Sequence, residues 1–235
     1  RIGLTSHNAR FCPDCYLQFF ANAVRRAMKR MRVPRDEPLL VAVSGGKDSL
    51  AVWDILSEMG YATHGLHLDL GIEGFSEPSR EAVESFARSR GLSWSAYSLA
   101  QEFGYTLPQI NQRFRHKICS VCGRLKRQYL NRLAVREGCH SVVTGHNLDD
   151  EAGRLLGNLI GNRQEYVRKQ SPYLPAPHPL IPAKLKPLYR AEINEILIYC
   201  EIRGIEPADA DCPMSKGATS HAFKDALNSL EKRMP

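Results

Sequence analysis

The sequence predicts an α/β protein built on a doubly wound parallel sheet, and three observations support this. Four short apolar segments are typical of buried strands: 39–43, 63–68, 93–98 and 140–145. Helical patterns at 49–59 and 77–90 separate the first three, and strand–helix–strand alternation indicates parallel strands. The chain has 235 residues, 43% hydrophobic and 24% charged, which suffices for one such domain with appendages. Ligands of such sheets bind outside the carboxyl ends of the strands.

A glycine-rich turn, Ser44-Gly45-Gly46-Lys47-Asp48-Ser49, follows the first of these strands and precedes a helix. Paired glycines turn tightly and leave backbone N–H groups accessible, and the start of a helix favours a phosphate. Lys47 adds positive charge, and Asp48 is expected to hold a Mg²⁺ that bridges to the phosphates. Only two glycines precede the lysine, which excludes the common nucleotidase loop. A plain strand–turn–helix joint explains a glycine pair, but the full hexapeptide favours nucleotide binding.

Two further segments are predicted at the same edge. His67 ends the second strand, where an adenine would lie, and Asp69 is either a ribose or metal contact or a turn residue. The segment 144–152 closes the fourth strand with Gly145, which allows close approach of a ligand. It then opens a helix with three acidic residues, 149–151, which either cap the helix or serve Mg²⁺ or the nucleotide.

Seven cysteines, an odd number, argue against a disulfide framework in a chain of this kind. Cys119 and Cys122 precede a basic helix, so we expect lowered thiol pKa values there. Cys212, in a turn before Pro213, is the nearest unassigned partner. The residues alone leave three readings open: an iron–sulfur cluster, a zinc site or a catalytic dithiol that carries a persulfide. Cys139 and Cys200 are predicted to be core residues.

The N-terminal segment holds a second pair, Cys12 and Cys15, which forms half of a zinc site. His7 is a candidate third ligand, and a reduced pair without metal is the alternative. The helix that follows has an apolar stripe and a cationic face, which either contacts solvent or follows a phosphate backbone. The proline-rich segment 170–187 is predicted to be a surface excursion, in which Lys184 and Lys186 are candidates to meet a polyanion. Two helices are predicted to follow, at 191–203 and 220–233.

The net charge of +7 and the calculated pI near 9.1 suit a polyanionic partner without requiring one. No apolar run is long enough to span a bilayer and no signal peptide is visible, so we predict a cytoplasmic protein without membrane contact.

Four signatures occur in order along the chain: Ser44–Ser49, the Cys119/Cys122 pair, Thr144–Ala152 and Cys212-Pro213. The first resembles the PP-loop of the ATP pyrophosphatases, which adenylate a substrate and release pyrophosphate. The ordered set resembles the TtuA/TtcA-type tRNA thiolases, and His7 with the Cys12/Cys15 pair is similar to the second half of the N-terminal zinc finger of the TtuA and wobble-uridine branch.

This resemblance implies a PP-loop (HUP-like) sheet, with a zinc-finger remnant and basic helix in 1–35 and the catalytic domain with its C-terminal helices in 36–235. It implies ATP and Mg²⁺ at the carboxyl edge, a structural Zn²⁺ on Cys12 and Cys15, and a [4Fe–4S] cluster on Cys119, Cys122 and Cys212. The ATP-binding residues would be Ala42, Val43, Ser44, Gly45, Gly46, Lys47, Asp48, Ser49, His67, Gly145 and Asp150. The catalytic residues would be Asp48, Lys126 and Asp150.

The implied reaction adenylates the C2 oxygen of a tRNA pyrimidine, expected to be a uridine, and replaces it with sulfur from hydrosulfide or a sulfur-carrier protein. A homodimer is compatible with it. One alternative is a PP-loop adenylating ligase or sulfurtransferase that acts on a small molecule, or through a cysteine persulfide without a cluster. Another is a zinc-containing RNA-binding scaffold with a vestigial ATP site. The segment 153–157 and the lack of a complete zinc finger depart from the family pattern, which leaves the substrate less certain than the chemistry.

Overall fold

Eight strands and ten α-helices build the residues that the computed structural model describes, which are 1–114, 118–209, 211–215 and 218–233. The strands are β1 (Ile2–Leu4), β2 (Ala9–Phe11), β3 (Leu39–Ala42), β4 (Thr63–Asp69), β5 (Trp94–Ser98), β6 (Ser141–Val143), β7 (Tyr173–Leu174) and β8 (Ala183–Leu185). The helices are α1 (Pro13–Met31), α2 (Lys47–Glu58), α3 (Ser76–Arg90), α4 (Leu99–Phe103), α5 (Leu107–Phe114), α6 (Ile118–Arg136), α7 (Leu148–Ile160), α8 (Gln164–Arg168), α9 (Ile193–Arg203) and α10 (Thr219–Glu231).

Six strands form one sheet in the order β5-β4-β3-β6-β8-β7, and all neighbours are parallel except β7 with β8. The two N-terminal strands, β1 and β2, form a separate antiparallel hairpin. The central strand β3 lies between β4 and β6, so the loop that follows β3 lies at the middle of the carboxyl edge. This confirms the predicted fold class and places the glycine-rich turn where such sheets bind ligands.

Alternation along β3 separates the two faces of the sheet. Leu39 and Val41 belong to a core cluster with residues of α1, α2, α3 and α9, whereas Leu40 belongs to a second cluster with residues of α4 and α6. Successive side chains of a strand point to opposite faces, so a fully apolar strand needs helices on both. The doubly wound arrangement follows from this pattern.

A buried carboxylate on α2 binds side chains of α3 and α9. Asp54 on α2 is 1% exposed and accepts hydrogen bonds from Arg90 Nε at 2.9 Å, Arg203 Nε at 2.7 Å and Tyr199 Oη at 2.6 Å. Burial by itself would raise the pKa of Asp54, but these hydrogen bonds outweigh burial and lower it. The network therefore ties α2, α3 and α9 together through one ionised group.

The proline-rich segment departs from the prediction of a surface excursion. Residues 183–185 form β8, which pairs in parallel with β6 and belongs to the main sheet. Pro182 and Pro187 bracket these residues, and a short strand between prolines can still pair because its own N–H groups remain free. Lys186 is buried, and its Nζ lies 2.8 Å from Glu151 Oε1, so it faces an internal partner instead of a polyanion in solvent.

The proposed division at residue 35 remains a prediction. The helix α1 lies before that boundary, yet Tyr16, Phe20 and Val24 belong to the same core cluster as the sheet. Tyr16 Oη also donates to the backbone oxygen of Glu195 at 2.6 Å. Among the described residues, every helix is too short or too polar to cross a membrane.

Candidate active site

The turn after β3 is stabilised by hydrogen bonds of a serine hydroxyl group within it. Ser49 Oγ donates to Gly46 O at 2.8 Å and accepts from Ser44 N at 3.1 Å. Gly46 is the N-cap of α2 and supplies no side-chain cap, so the N-terminus of the helix suits an anion. Ala42 and Val43 lead into this turn, and Gly45 adopts φ +81°, a conformation that favours glycine. The loop thus offers backbone N–H groups, Lys47 and a helix N-terminus to an anion.

The predicted segment after β6 contacts this loop directly. A Cβ on Gly145 would lie 2.6 Å from the carbonyl carbon and oxygen of Asp48 and 2.8 Å from Ser49 N. Asn147 Nδ2 donates to Asp48 Oδ1 at 3.1 Å, while Lys47 Nζ lies 3.0 Å from Asp48 Oδ2. The two sequence motifs, 44–49 and 144–152, therefore form one site.

Asp150 is held in place on both sides. It forms a capping box with Asn147: Asp150 N donates to Asn147 Oδ1 at 2.9 Å, and Asn147 N donates to Asp150 Oδ2 at 3.2 Å. Its other oxygen pairs with Lys224 Nζ of α10. Burial alone would raise the pKa of Asp150, but the hydrogen bond and charge of Lys224 outweigh it and lower the pKa. The carboxylate is therefore ionised and oriented at neutral pH.

Two glycines on α7 allow α10 to reach Asp150. Phe223 packs where a Cβ on Gly157 would lie, 2.7 Å from the ring, and the stem of Lys224 lies 3.3 Å from the position of a Cβ on Gly153. The segment 153–157, which departs from the family pattern, is thus the surface on which the C-terminal helix docks.

His67 lies at the end of β4, facing the turn. It is 3% exposed, its Nδ1 lies 3.0 Å from Val43 O, and its buried Nε2 has no partner among the described residues. Burial lowers the pKa of His67, so the ring is neutral; because Nδ1 donates to Val43 O, Nε2 is left as an enclosed acceptor. Asp69 instead accepts a hydrogen bond from Gly71 N at 2.8 Å, which is the turn role.

The structure brings Cys119, Cys122 and Cys212 together. Cys119 Sγ lies 3.7 Å from the backbone oxygen of Met214, 95 residues later in the chain. Cys122 and Cys212 pack against the same apolar cluster beside α6, and all three cysteines are free thiols. The donor set suits an iron–sulfur cluster with one iron left open.

The predicted low pKa is wrong for Cys122. Burial raises its pKa, the neighbouring Cys212 and Cys119 raise it further, and only Lys126 lowers it. Nearby positive charge is visible in the sequence, but the packing of Cys122 against the apolar cluster beside α6 is not. Lys126 also lowers the pKa of His67, behind the effect of burial, so its charge acts on both the thiols and the nucleotide side. Lys117, the other cation named beside the pair, lies outside the described residues.

Within the described ranges, no three histidine, cysteine or carboxylate side chains converge on a single metal ion. Three cysteines of a [4Fe–4S] cluster bind different irons and need not converge on one point, so this finding leaves the cluster assignment open. It does bear on zinc, which needs four ligands around one ion. Cys12 and Cys15 are adjacent, with Cys15 N 3.5 Å from Cys12 Sγ, but His7 Nε2 binds Glu195 Oε1 at 3.0 Å.

Sequence reasoning missed three contributors to the site. Asn147, directly before the acidic trio, carries an N-cap signal that could have been found. The ion pair of the buried Lys186 with Glu151 and the contact of Lys224 with Asp150 join elements that are distant in sequence, and no local pattern marks either contact.

No protein-family model matches the chain, but known proteins that share one name are similar to it over nearly its whole length. The chain is 43% identical over 236 residues to the tRNA-5-methyluridine(54) 2-sulfurtransferase of Thermus thermophilus, covering 100% of this chain and 73% of that protein. It is 36% identical to the protein of the same name from Pyrococcus horikoshii, covering 95% of this chain and 72% of the relative.

Solved structures also resemble the chain in fold. The U34-tRNA thiolase NcsA of Methanococcus maripaludis, solved with its [4Fe–4S] cluster, superposes with a TM-score of 0.88 at 25% identity, over 100% of this chain and 79% of that chain. NMN synthetase from Francisella tularensis, at 15% identity and a TM-score of 0.57 over 94% of this chain and 87% of its own, shares the fold. The chain belongs to the TtuA/TtcA-type family of PP-loop tRNA thiolases, together with the tRNA-5-methyluridine(54) 2-sulfurtransferases.

Proposed function

We propose that the chain is an ATP-dependent tRNA 2-sulfurtransferase that replaces the C2 oxygen of a uridine with sulfur and releases AMP and pyrophosphate. The observation that carries the proposal is the position of Cys119, Cys122 and the Cys212–Met214 segment, which meet in a chain whose sheet also presents an anion-binding turn. The names of the relatives support this activity and a tRNA substrate.

ATP would bind with its phosphates at the glycine-rich turn 44–49, next to the N-terminus of α2. The unpartnered Nε2 of His67 would accept a hydrogen bond from the nucleoside. Asp48 is the proposed Mg²⁺ ligand; its carboxylate already contacts Lys47 and Asn147, which hold it at the loop.

The C2 oxygen of a pyrimidine is amide-like and leaves poorly. Attack of that oxygen on the α-phosphorus expels pyrophosphate, after which sulfur forms a bond to C2 and the C2–O bond breaks with AMP as leaving group. Asp150, ionised and fixed by its cap and by Lys224, would orient the base, and Lys126 would offset negative charge between the cysteines and the nucleotide. When bound by the three cysteines, a [4Fe–4S] cluster would supply the iron that carries the incoming sulfur.

Three finer points complete the proposal. Cys12 and Cys15 would supply two of the four ligands of a structural Zn²⁺. The sulfur would come from hydrosulfide or a sulfur-carrier protein. A homodimer stays a prediction that sedimentation would test.

The test is a reconstituted reaction. Protein reconstituted anaerobically with iron and sulfide is incubated with ATP, Mg²⁺, sulfide and unmodified tRNA, and 2-thiouridine is measured by mass spectrometry of nucleosides. The parent is expected to form 2-thiouridine and pyrophosphate, and Asp48→Ala is expected to form neither. Cys119→Ser, Cys122→Ser and Cys212→Ser should each lower the bound iron.

Cys139→Ala is the matched control, because Cys139 is buried in the same apolar cluster but lies at the far end of α6 from the pair. It should retain iron and activity. Iron content that is equal in all four cysteine variants would contradict the cluster assignment. Absence of 2-thiouridine with a fully loaded parent would contradict the function.

A further inference from the structure

A groove lies between α1 and the segment 187–191, outside the site described above. Its volume is about 280 Å³, and its floor is apolar, formed by side chains of α1 such as Phe20 and Val24. Arg26, Arg30 and Arg190 also line it. We call it the arginine groove.

None of these three guanidinium groups forms an ion pair with another described residue. Within the described part of the chain, none of them has a carboxylate within 4.0 Å, in contrast to Arg90 and Arg203, which pair with Asp54. The one carboxylate that lines the groove, Glu195, binds His7 at 3.0 Å and the backbone N of Glu192 at 2.8 Å. The arginine groove therefore carries unneutralised positive charge that suits a phosphate.

Tyr189 places a half-exposed aromatic ring beside these charges. Arg30 Nη1 donates to Tyr189 Oη at 3.3 Å, and the Arg190 guanidinium lies 5.5 Å from the ring centroid. An aromatic ring next to arginines is the combination on which proteins stack single bases while holding the backbone.

The arginine groove is joined to the candidate active site through the backbone. The segment 187–191 connects β8 to α9, and its last residue accepts a hydrogen bond from Leu148 N at 2.9 Å. Ile193 N, just beyond, donates to Asp149 Oδ2 at 3.0 Å, next to Asp150. A chain of nucleotides that occupied the groove would thus lie beside the first turn of α7.

We propose that the arginine groove binds the backbone of the substrate tRNA, with phosphate at Arg30 and Arg190 and a base against Tyr189, on the α1 side of the reacting nucleotide. This rests on the proposed function. It names a contact surface for the RNA that is separate from the residues that bind ATP and the cluster.

The test measures tRNA affinity across a salt series. The double variant Arg30→Gln/Arg190→Gln is expected to bind tRNA about tenfold more weakly at low salt, and to reduce the slope of log affinity against log salt by roughly 1.5. Arg25→Gln/Arg163→Gln is the matched control: it also removes two positive charges, one of them from α1, but neither arginine lines the groove and the Arg25 guanidinium binds Asn22. An equal loss in the control, or no loss in Arg30→Gln/Arg190→Gln, would overturn the proposal.

A second comparison isolates the stacking. Tyr189→Leu is expected to weaken binding about tenfold, whereas Tyr189→Phe should retain most of it, because a phenyl ring still stacks. Equal binding by the leucine and phenylalanine variants would remove the base contact from the proposal.

Kinetics separate this inference from the proposed function. In the thiolation assay the double variant should raise the KM for tRNA about tenfold and leave kcat and the KM for ATP unchanged. If the parent binds tRNA with the expected salt response but forms no 2-thiouridine, the function fails and the groove stands. If the parent thiolates and the double variant has an unchanged KM, the groove fails and the function stands.

Discussion

Gly145→Ala tests the contact between the glycine-rich turn 44–49 and the segment 144–152, which follows β6. An added Cβ would lie 2.6 Å from the carbonyl of Asp48 and 2.8 Å from Ser49 N, both backbone atoms that cannot rotate away. Ordinary contact requires about 3.5 Å, so the segment after β6 and the glycine-rich turn must separate by about 1 Å. Gly145 does not adopt a positive φ, so the effect is steric and not conformational.

The expected magnitudes follow from that displacement. Overpacking of this kind lowers the free energy of unfolding by about 2 kcal/mol. A shift of about 1 Å at the site is expected to slow pyrophosphate release about a hundredfold. Urea denaturation and a pyrophosphate assay with tRNA measure the two effects.

The control is Gly3→Ala, whose Cβ would meet nothing within 4 Å and whose stability should change by less than about 0.5 kcal/mol. Parent-like stability and activity in Gly145→Ala would refute the contact between the motifs.

Three further predictions concern charged groups. Asp54→Asn should lower the free energy of unfolding by about 2 kcal/mol at pH 7. Because the folded pKa of Asp54 is below its unfolded value, this difference should shrink as denaturation is measured below about pH 4. Lys186→Met leaves the partly buried Glu151 without its partner and should lower the free energy of unfolding by about 2 kcal/mol, most of it recovered on adding Glu151→Gln; a larger loss in the double variant would contradict the pairing. Lys224→Met should lower kcat for thiolation by roughly tenfold, because Asp150 loses the cation that orients it, and Lys224→Arg should retain most of the parent kcat. A kcat for Lys224→Arg as low as that of Lys224→Met would exclude the positioning role.

The glycine-rich turn and the central strands could be predicted because their signals are local. Residues 39–42 are apolar on both faces, and the turn that follows needs glycine at Gly45, so the sequence there allows few alternatives. The strand β8 was missed because only three residues between prolines enter the sheet, too few for a periodic pattern. Its place beside β6 depends on partners more than 40 residues earlier.

The fold class, the glycine-rich turn and the four signatures of the family can be read from the chain without its coordinates, since each depends on neighbouring residues whose backbone geometry is encoded locally. The approach of Cys212 and Met214 to the Cys119/Cys122 pair, the ion pair of Lys224 with Asp150 and the raised pKa of Cys122 became visible in the folded molecule. The reason is physical: burial and long-range ion pairs arise from packing of elements far apart in the chain, and local composition carries no record of which surfaces meet.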